Sequence, residues 1–436
     1  MRFLISLAAL TAAFATPAAA QLSEPEQVIM DTVVAGYEDD AVLLERLVMQ
    51  NSGTHNHAGV KAVADMLVPE FEALGFTVEW IDQSAAGRAG HLFARKTGKP
   101  GTTRMLLIAH LDTVFEANSP FQGFTREGDT ATGPGVGDDK GGIVVILAAL
   151  KAMQAAGTLE DANIVVALTG DEEDAGDPLD VSRKDLREAA GWADVALDFE
   201  GLSVMDGKDM GVVARRSSND WTLTVTAKSG HSSGIFGEGV SYGAIYELAR
   251  ILDRFRQELP EENLTFNVGV MAGGTPASIT ADGLATEAVG KGNIIPTTAI
   301  ARGDLRTISQ EQSDRTVAAM QAIVAESLPG TSAKIEFQFR YPPMAPTEGN
   351  YALLARLNGV NADMGLEEMG VYPPSMRGAG DINFVADLVD GIAGMGTDGS
   401  GSHAPGESVD LKSITRQAQR AAILISRLSQ EAWPAQ

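Results

Sequence analysis

Apolar residues recur at helical spacing from Gln27 to Met49, and again from about Val60 to Leu74, where Gly75 ends the run. The period then shortens. Phe76–Trp80 alternates as a strand, and His91–Arg95 and Met105–Ala109 read as two more. The last of these is nearly all apolar, the mark of a strand buried on both faces. Gly141–Ala156 reads as a helix entered through a Gly-rich loop, and Asn163–Leu168 and Val195–Phe199 as further buried strands. Strands alternating with helices predict an α/β domain built on a mainly parallel sheet.

The pattern changes near Val213. Trp221–Ala227 alternates with polar partners, Gly239–Leu259 reads as a long helix stopped by Pro260, and Leu264–Val270 and Ile300–Leu305 read as strands. Ser309–Leu328 reads as a helix and Ala333–Phe339 as a last strand. The order β-α-β-β-α-β is that of the split, ferredoxin-like α+β unit. From about Tyr341 the first style returns, with a helix near Ala352, an apolar strand over Gly391–Met395 and a helix over Leu411–Leu428. The division expected is therefore a catalytic α/β domain in two parts, 21–213 and 342–436, with an α+β domain inserted at 214–341.

Composition narrows the class. With 436 residues, 44% hydrophobic and 21% charged, the chain can bury a large core and is globular rather than disordered. A net charge of −25 disfavours nucleic acid and anionic membrane as partners. Residues 1–20 combine Arg2, the apolar run Phe3–Phe14 and the small residues Ala18-Ala19-Ala20. That is the pattern of a cleaved secretory signal; the run is short for a membrane anchor. The expectation is an exported, periplasmic protein with no membrane segment after cleavage. The chain has no cysteine, so any metal site must use His, Asp and Glu, which suits a catalytic metal more than a structural one.

Candidate chemistry gathers at strand ends. Met105–Ala109 runs into His110-Leu111-Asp112, and open α/β sheets bind ligands beyond the carboxyl ends of their strands. Asp112 lies on the same side of an extended backbone as His110 and can hold its second ring nitrogen. An ordinary strand-end histidine would look the same. The Gly133–Gly142 loop carries Asp138 and Asp139 at its tip, which disfavours a phosphate and suits a carboxylate between cations. Asn163–Leu168 leads to Asp171-Glu172-Glu173, where neighbouring acids point opposite ways and could divide metal binding from proton transfer. An acidic run is more often a solvated face. Val195–Phe199 ends in Glu200, and His403 follows in a Gly-Ser-rich loop. That all of these merely decorate one sheet edge is the less economical reading.

Here the chain resembles the zinc metallopeptidases of the MH clan that include glutamate carboxypeptidase, aminoacylase, succinyl-diaminopimelate desuccinylase and carnosinase. His-Leu-Asp, Gly-Asp-Asp-Lys-Gly-Gly, Asp-Glu-Glu, Asp-Phe-Glu, Gly-His-Ser, Asn-Ile-Ile-Pro and Gly-Ser-His occur in the family's order. The resemblance covers nearly everything after residue 20 and is closest to exported glutamate carboxypeptidase-like members. It implies two zinc ions, His110 and Glu200 on one, Glu173 and His403 on the other, and Asp138 bridging both before a cis peptide bond. It implies that Asp112 orients His110 and that Glu172 is the general base. It also implies a lid and dimerisation domain. From that domain His231 would reach the site of the partner subunit in a homodimer, and Asn293 would help hold the substrate's carboxylate. Arg377 would share the latter task through its fork of donors; a salt bridge to Asp381 or another nearby acid is the plainer role for it.

The substrate implied is a small peptide, or an N-acyl amino acid, cleaved next to a residue with a free carboxylate. A non-catalytic exported binding protein is the reading from another class, and an intact Glu172 speaks against it. Residues 272–292 depart from the family in length and are expected to extend a hairpin near the subunit interface. His55 and His57 match no family ligand and read as loop residues.

Overall fold

The computed structural model describes residues 22–281 and 283–434; the signal-peptide reading of residues 1–20 lies outside them. Its main sheet runs Thr77–Asp82, Gly90–Lys96, Asn163–Thr169, Arg104–His110, Val195–Asp198, Asp390–Ile392 across. The first two pairings are antiparallel and the last three parallel. Side chains of successive residues point to opposite faces, and the central strands use both. Met105, Leu107 and Ala109 join Ile164, Val166 and Leu168 in one apolar cluster. Leu106, Ile108, Val165 and Ala167 join a second cluster across the sheet. Helices Glu24–Ala35, Lys140–Ala156 and Leu411–Leu428 cover the first face, and Lys184–Trp192 covers the second. This is why these strands carry no polar alternation.

Helix Lys140–Ala156 ends at Gly157, whose φ of 73° lies in the left-handed region open to glycine at no steric cost. The periodicity over Gln27–Met49 is interrupted: Glu24–Ala35 and Tyr37–Met49 are separate helices meeting at Gly36. Glycine is the weakest helix former after proline, so the break falls there.

All strands of a second sheet come from Ser218 to Tyr341. Thr265–Phe266, Thr298–Arg306, Ser218–Ala227 and Thr331–Tyr341 lie side by side and antiparallel. Helices Ala244–Glu258 and Gln310–Ala325 pack on one face around Trp221, Leu223 and Val225. The β-α-β-β-α-β order holds, with two local differences. The strand expected over Leu264–Val270 is two pieces, because Phe266 pairs with Leu305 and Val270 with Arg302, four residues forward against three back. That extra residue is a bulge. The helix expected from Gly239 begins at Ala244, after Gly243 at φ 82°. Residues 272–292 continue the pairing of Val270–Gly274 and then form a small hairpin, Ala277–Ile279 against Thr286–Ala288.

The sequence pattern does not announce a third, four-stranded sheet. It orders Gly399–Ser400, Ser408–Asp410, Thr130–Thr132 and Thr125–Glu127, and it anchors both ends of the loop that carries His403. Among the described residues, no helix is long and apolar enough to cross a membrane.

Candidate metal centre

Strands Arg104–His110 and Asn163–Thr169 end level, with His110 opposite Thr169 and the Leu111 N–H donating to Thr169 O at 2.7 Å. This sets His110 beside the Glu172–Glu173 turn. His110 is buried, and its Nε2 lies 3.0 Å from Asp138 Oδ1. On the other side of the ring, Nδ1 lies 3.1 Å from the Asp112 carbonyl and 3.4 Å from its carboxylate.

Asp112 touches more than the imidazole. Fully buried, it accepts the Thr54 hydroxyl at 2.6 Å and the backbone N–H groups of Glu172 and Glu173 at 3.1 and 3.2 Å. One carboxylate therefore fixes the histidine ring and the backbone of both acids.

The Gly-rich loop brings Asp138 across from this edge, and the peptide bond between Asp138 and Asp139 is cis. Glu407 holds the loop by accepting the N–H groups of Gly135, Gly137 and Asp138 at 3.2, 2.8 and 3.0 Å. His403 sits half exposed at φ 63°. Its Nε2 lies 3.1 Å from Asp138 Oδ2 and 3.0 Å from Glu173 Oε2. One ligand-type atom each from His110, Asp138 and Glu173 falls within a 4.8 Å span.

Glu200 completes the wall. Arg215 Nη2 donates to it at 2.8 Å, and Arg377 Nη2 reaches the same oxygen at 3.3 Å. The cavity between these groups holds about 280 Å³ and is lined by Asp138, Glu172, Glu200, Arg215, Arg377 and His403, among others.

The electrostatics call for positive charge. Burial pushes the Glu172 carboxyl well above its ordinary range, and the Glu200 charge adds to this. Burial would do the same to Glu200, but Arg215 and Arg377 outweigh it and hold Glu200 below its usual range. His403 is raised to about 11 by its hydrogen bonds to Asp138 and Glu173. His110 is raised by Asp112 and Asp138 against the burial that opposes charging it. Among the described residues, Glu173 Oε1 and both Asp139 carboxylate oxygens are buried without a hydrogen-bond partner. Carboxylates and imidazoles converging on one point, with acid oxygens left over, form the donor set that suits divalent zinc-like cations. The residues present fit a metal group.

Most of the residues singled out in the sequence come together here: His110, Asp112, Asp138, Glu172, Glu173, Glu200, His403 and Arg377. His231 and Asn293 do not. They lie exposed on the second sheet's side of the chain, joined to each other where the Ser232 N–H donates to Asn293 O at 3.0 Å. His231 Nδ1 is 2.8 Å from the Ser233 hydroxyl, in a separate depression with Lys228 and Ser241. Arg377 pairs with Glu200 rather than Asp381, whose partner is Arg183 at 3.0 Å. His55 pairs with Asp174 in an exposed turn, while His57 opens helix His57–Ala73 and is not a loop residue. Glu407, Arg215 and Tyr341, whose hydroxyl donates to the Glu172 carbonyl, were not singled out in the sequence.

The sequence model of peptidase family M20/M25/M40 matches residues 106–427. Carboxypeptidase G2 of Pseudomonas sp. (strain RS-16) is 29% identical over 404 residues, 90% of each chain. Succinyl-diaminopimelate desuccinylase of Acidiphilium cryptum (strain JF-5) is 28% identical over 308 residues, 68% of this chain and 76% of that one. Among solved structures, a Bacillus subtilis protein described as a dinuclear metal binding peptidase from the M20 family superposes with a TM-score of 0.63 at 14% identity, covering 91% of this chain and 99% of that one.

Proposed function

The chain belongs to peptidase family M20/M25/M40 and is a metallopeptidase; from that premise we propose that it cleaves the amide bond next to an amino acid with a free α-carboxylate, as a glutamate carboxypeptidase-like enzyme. The observation that carries the proposal is one cavity lined by Asp138, Glu172, His403 and Arg377, with His110 against Asp138 and Glu173 against His403.

His110 and Glu200 would hold one divalent ion, Glu173 and His403 a second, with Asp138 shared by both; zinc is the metal we propose. When bound, the ions supply Lewis acidity toward the scissile carbonyl and toward water. The remaining work falls to the chain's own residues. Glu172 faces the cavity without serving as a ligand, so its carboxylate is free to take the proton of the attacking water. It then gives that proton to the leaving nitrogen. Its backbone is fixed by Asp112 and Tyr341, which keeps the base in one place through both transfers. Arg377 meets the carboxylate end of the substrate with its planar fork of donors. Its Nη2 already donates to Gly201 O at 2.9 Å and reaches Glu200 at 3.3 Å, which leaves Nη1 to offer.

The lid reading follows from the same premise. Residues 214–341 would form the inserted lid and dimerisation domain between catalytic segments 21–213 and 342–436. His231 would act on the partner subunit's site in a homodimer, and Asn293 beside it would contact the substrate. We also infer export to the periplasm from residues 1–20.

The desuccinylase relative, an acyl-removing enzyme by name, supports a second reading. The same site would then remove an acyl cap from an amino acid. A hydrolysis panel of dipeptides, acyl-glutamates and acetyl-amino acids, run with chelated and zinc-restored protein, tests both. Turnover of none of them by zinc-loaded protein would defeat both readings.

A further inference from the structure

Arg215 is a buried guanidinium with its donors spread over two walls of the cavity. Its backbone is clamped to Met344 by two hydrogen bonds, at 3.0 and 2.9 Å, so the side chain starts from a fixed point. Nη1 donates to Asp198 Oδ2 at 3.1 Å and Nη2 to Glu200 Oε2 at 2.8 Å. Asp198 and Glu200 stand two residues apart at the end of the strand Val195–Asp198. The other donors face the opposite way. Nε donates to Gly378 O and Nη2 to Ala379 O, both at 2.7 Å. These carbonyls belong to the turn directly after Arg377.

The packing leaves no slack at this junction. A Cβ on Gly380 would overlap Glu200 Oε1 and Arg215 Nη1. Gly380 is in extended backbone, with φ −167°, so its lack of a side chain serves this close approach and not an unusual backbone angle.

We propose that Arg215 is a positioning residue that ties the Glu200 carboxylate to the Arg377 turn, so that one side chain sets both a metal ligand and the clamp for the substrate's carboxylate. The inference rests on the proposed roles of Glu200 and Arg377. The simpler alternative is that Arg215 only neutralises buried Asp198. The two differ in what lysine can replace. A lysine ammonium supplies the charge but is a compact point donor that cannot span four acceptors on two walls.

The test uses the full-length zinc-loaded enzyme as wild type, Arg215→Lys and Gly380→Ala. The second variant forces the same junction apart without touching any charge, and it keeps the proposal open to refutation if the arginine variant does not fold. Two readouts are taken on folded protein: zinc affinity by competition with a chelator, and calorimetric binding of L-glutamate, L-leucine and L-phenylalanine as product probes. Zinc affinity and the affinity for the best-bound amino acid should both fall, each by about 10–100-fold, as for partners that orient metal ligands. If Arg215→Lys keeps both at wild-type values, charge alone suffices and the proposal is overturned. If only one of them falls in both variants, the tie between the walls is overturned. Should wild type bind no free amino acid, the carboxylate reading of Arg377 fails and takes the tie with it, while zinc affinity still reports on Glu200.

Discussion

The Glu407 carboxylate accepts the backbone N–H of Asp138 at 3.0 Å, across a separation of 269 residues. Its two oxygens take the N–H groups of Gly135 and Gly137 as well. The loop that presents the proposed bridging ligand is thus tied to the loop that presents His403, only four residues before Glu407. Burial raises the Glu407 carboxyl to about 7, opposed by these three donors.

Glu407→Ala should therefore act on the metal centre from outside it. Three N–H groups would lose their acceptor, at about 1–3 kcal/mol for each that stays dry. We expect a lower Tm and roughly 10–100-fold weaker metal retention during dialysis. Glu407→Gln, which keeps one oxygen for Gly137 and Asp138, should lie between alanine and wild type. Metal content by elemental analysis decides the matter: an alanine variant that holds metal like wild type would show that the loop stands without Glu407.

Glu172→Gln separates proton transfer from binding. Glutamine keeps the shape of the side chain and removes the base, and Glu172 is proposed as no metal's ligand. Metal content should be unchanged, and kcat should drop by at least about 10²–10⁴-fold, the range for a lost general base. A variant with full turnover would remove Glu172 from the mechanism; one that loses metal would make it a ligand instead.

Asp40 offers a pH test away from the site. It is buried in helix Tyr37–Met49, and burial raises its carboxyl from 3.8 to about 7; Asp39 and Glu70 add to this, while Lys151, itself paired with Glu70 at 2.9 Å, opposes it. A carboxyl raised on folding stabilises fully below its unfolded value, and that contribution is lost as pH rises from about 3.8 through about 7. Asp40→Asn should therefore raise stability most at pH 8, by an order of a few kcal/mol at most, with the advantage shrinking toward pH 4. Denaturation midpoints across that range check it, and parallel curves for the two proteins would refute it.

Strand-end residues were legible in the sequence because each follows a run that can only be interior. Met105–Ala109 and Val195–Phe199 are buried throughout, so the His110 or Glu200 directly after them must emerge at the sheet edge. Glu407 and Arg215 were not legible. Glu407 follows an exposed loop, and Arg215, although it comes directly after the buried run Met210–Ala214, acts as Glu407 does on groups far away in sequence, Arg215 on Gly378 and Glu407 on Gly135. Periodicity reports on a residue's own element and is silent about such partners. The same limit explains Gly36: the apolar spacing continues through it, while the backbone does not. The Arg377 pairing shows the converse. An acid was expected nearby, and the one that meets it, Glu200, is 177 residues away.

Metal removal should register in stability as well as in turnover. Without cations, the Asp138 charge presses on both Glu173 and Asp139, and Glu173 Oε1 and the Asp139 oxygens lack hydrogen-bond partners among the described residues. An ion that binds only the folded chain stabilises it by RT ln(1 + [L]/Kd), about 2.7 kcal/mol at a hundredfold excess over Kd. Chelation should lower Tm and zinc should restore it. His403→Ala should shrink that shift without abolishing it, because His403 meets Asp138 and Glu173 but makes no contact with Glu200. The variant also loses the ring that meets Asp138 and Glu173 in the chelated protein, so each protein's zinc-dependent shift is measured from its own chelated Tm. Scanning calorimetry of both proteins, with chelator and with zinc, separates the outcomes. If the full zinc-dependent shift survives in His403→Ala, the second ion does not depend on that ring.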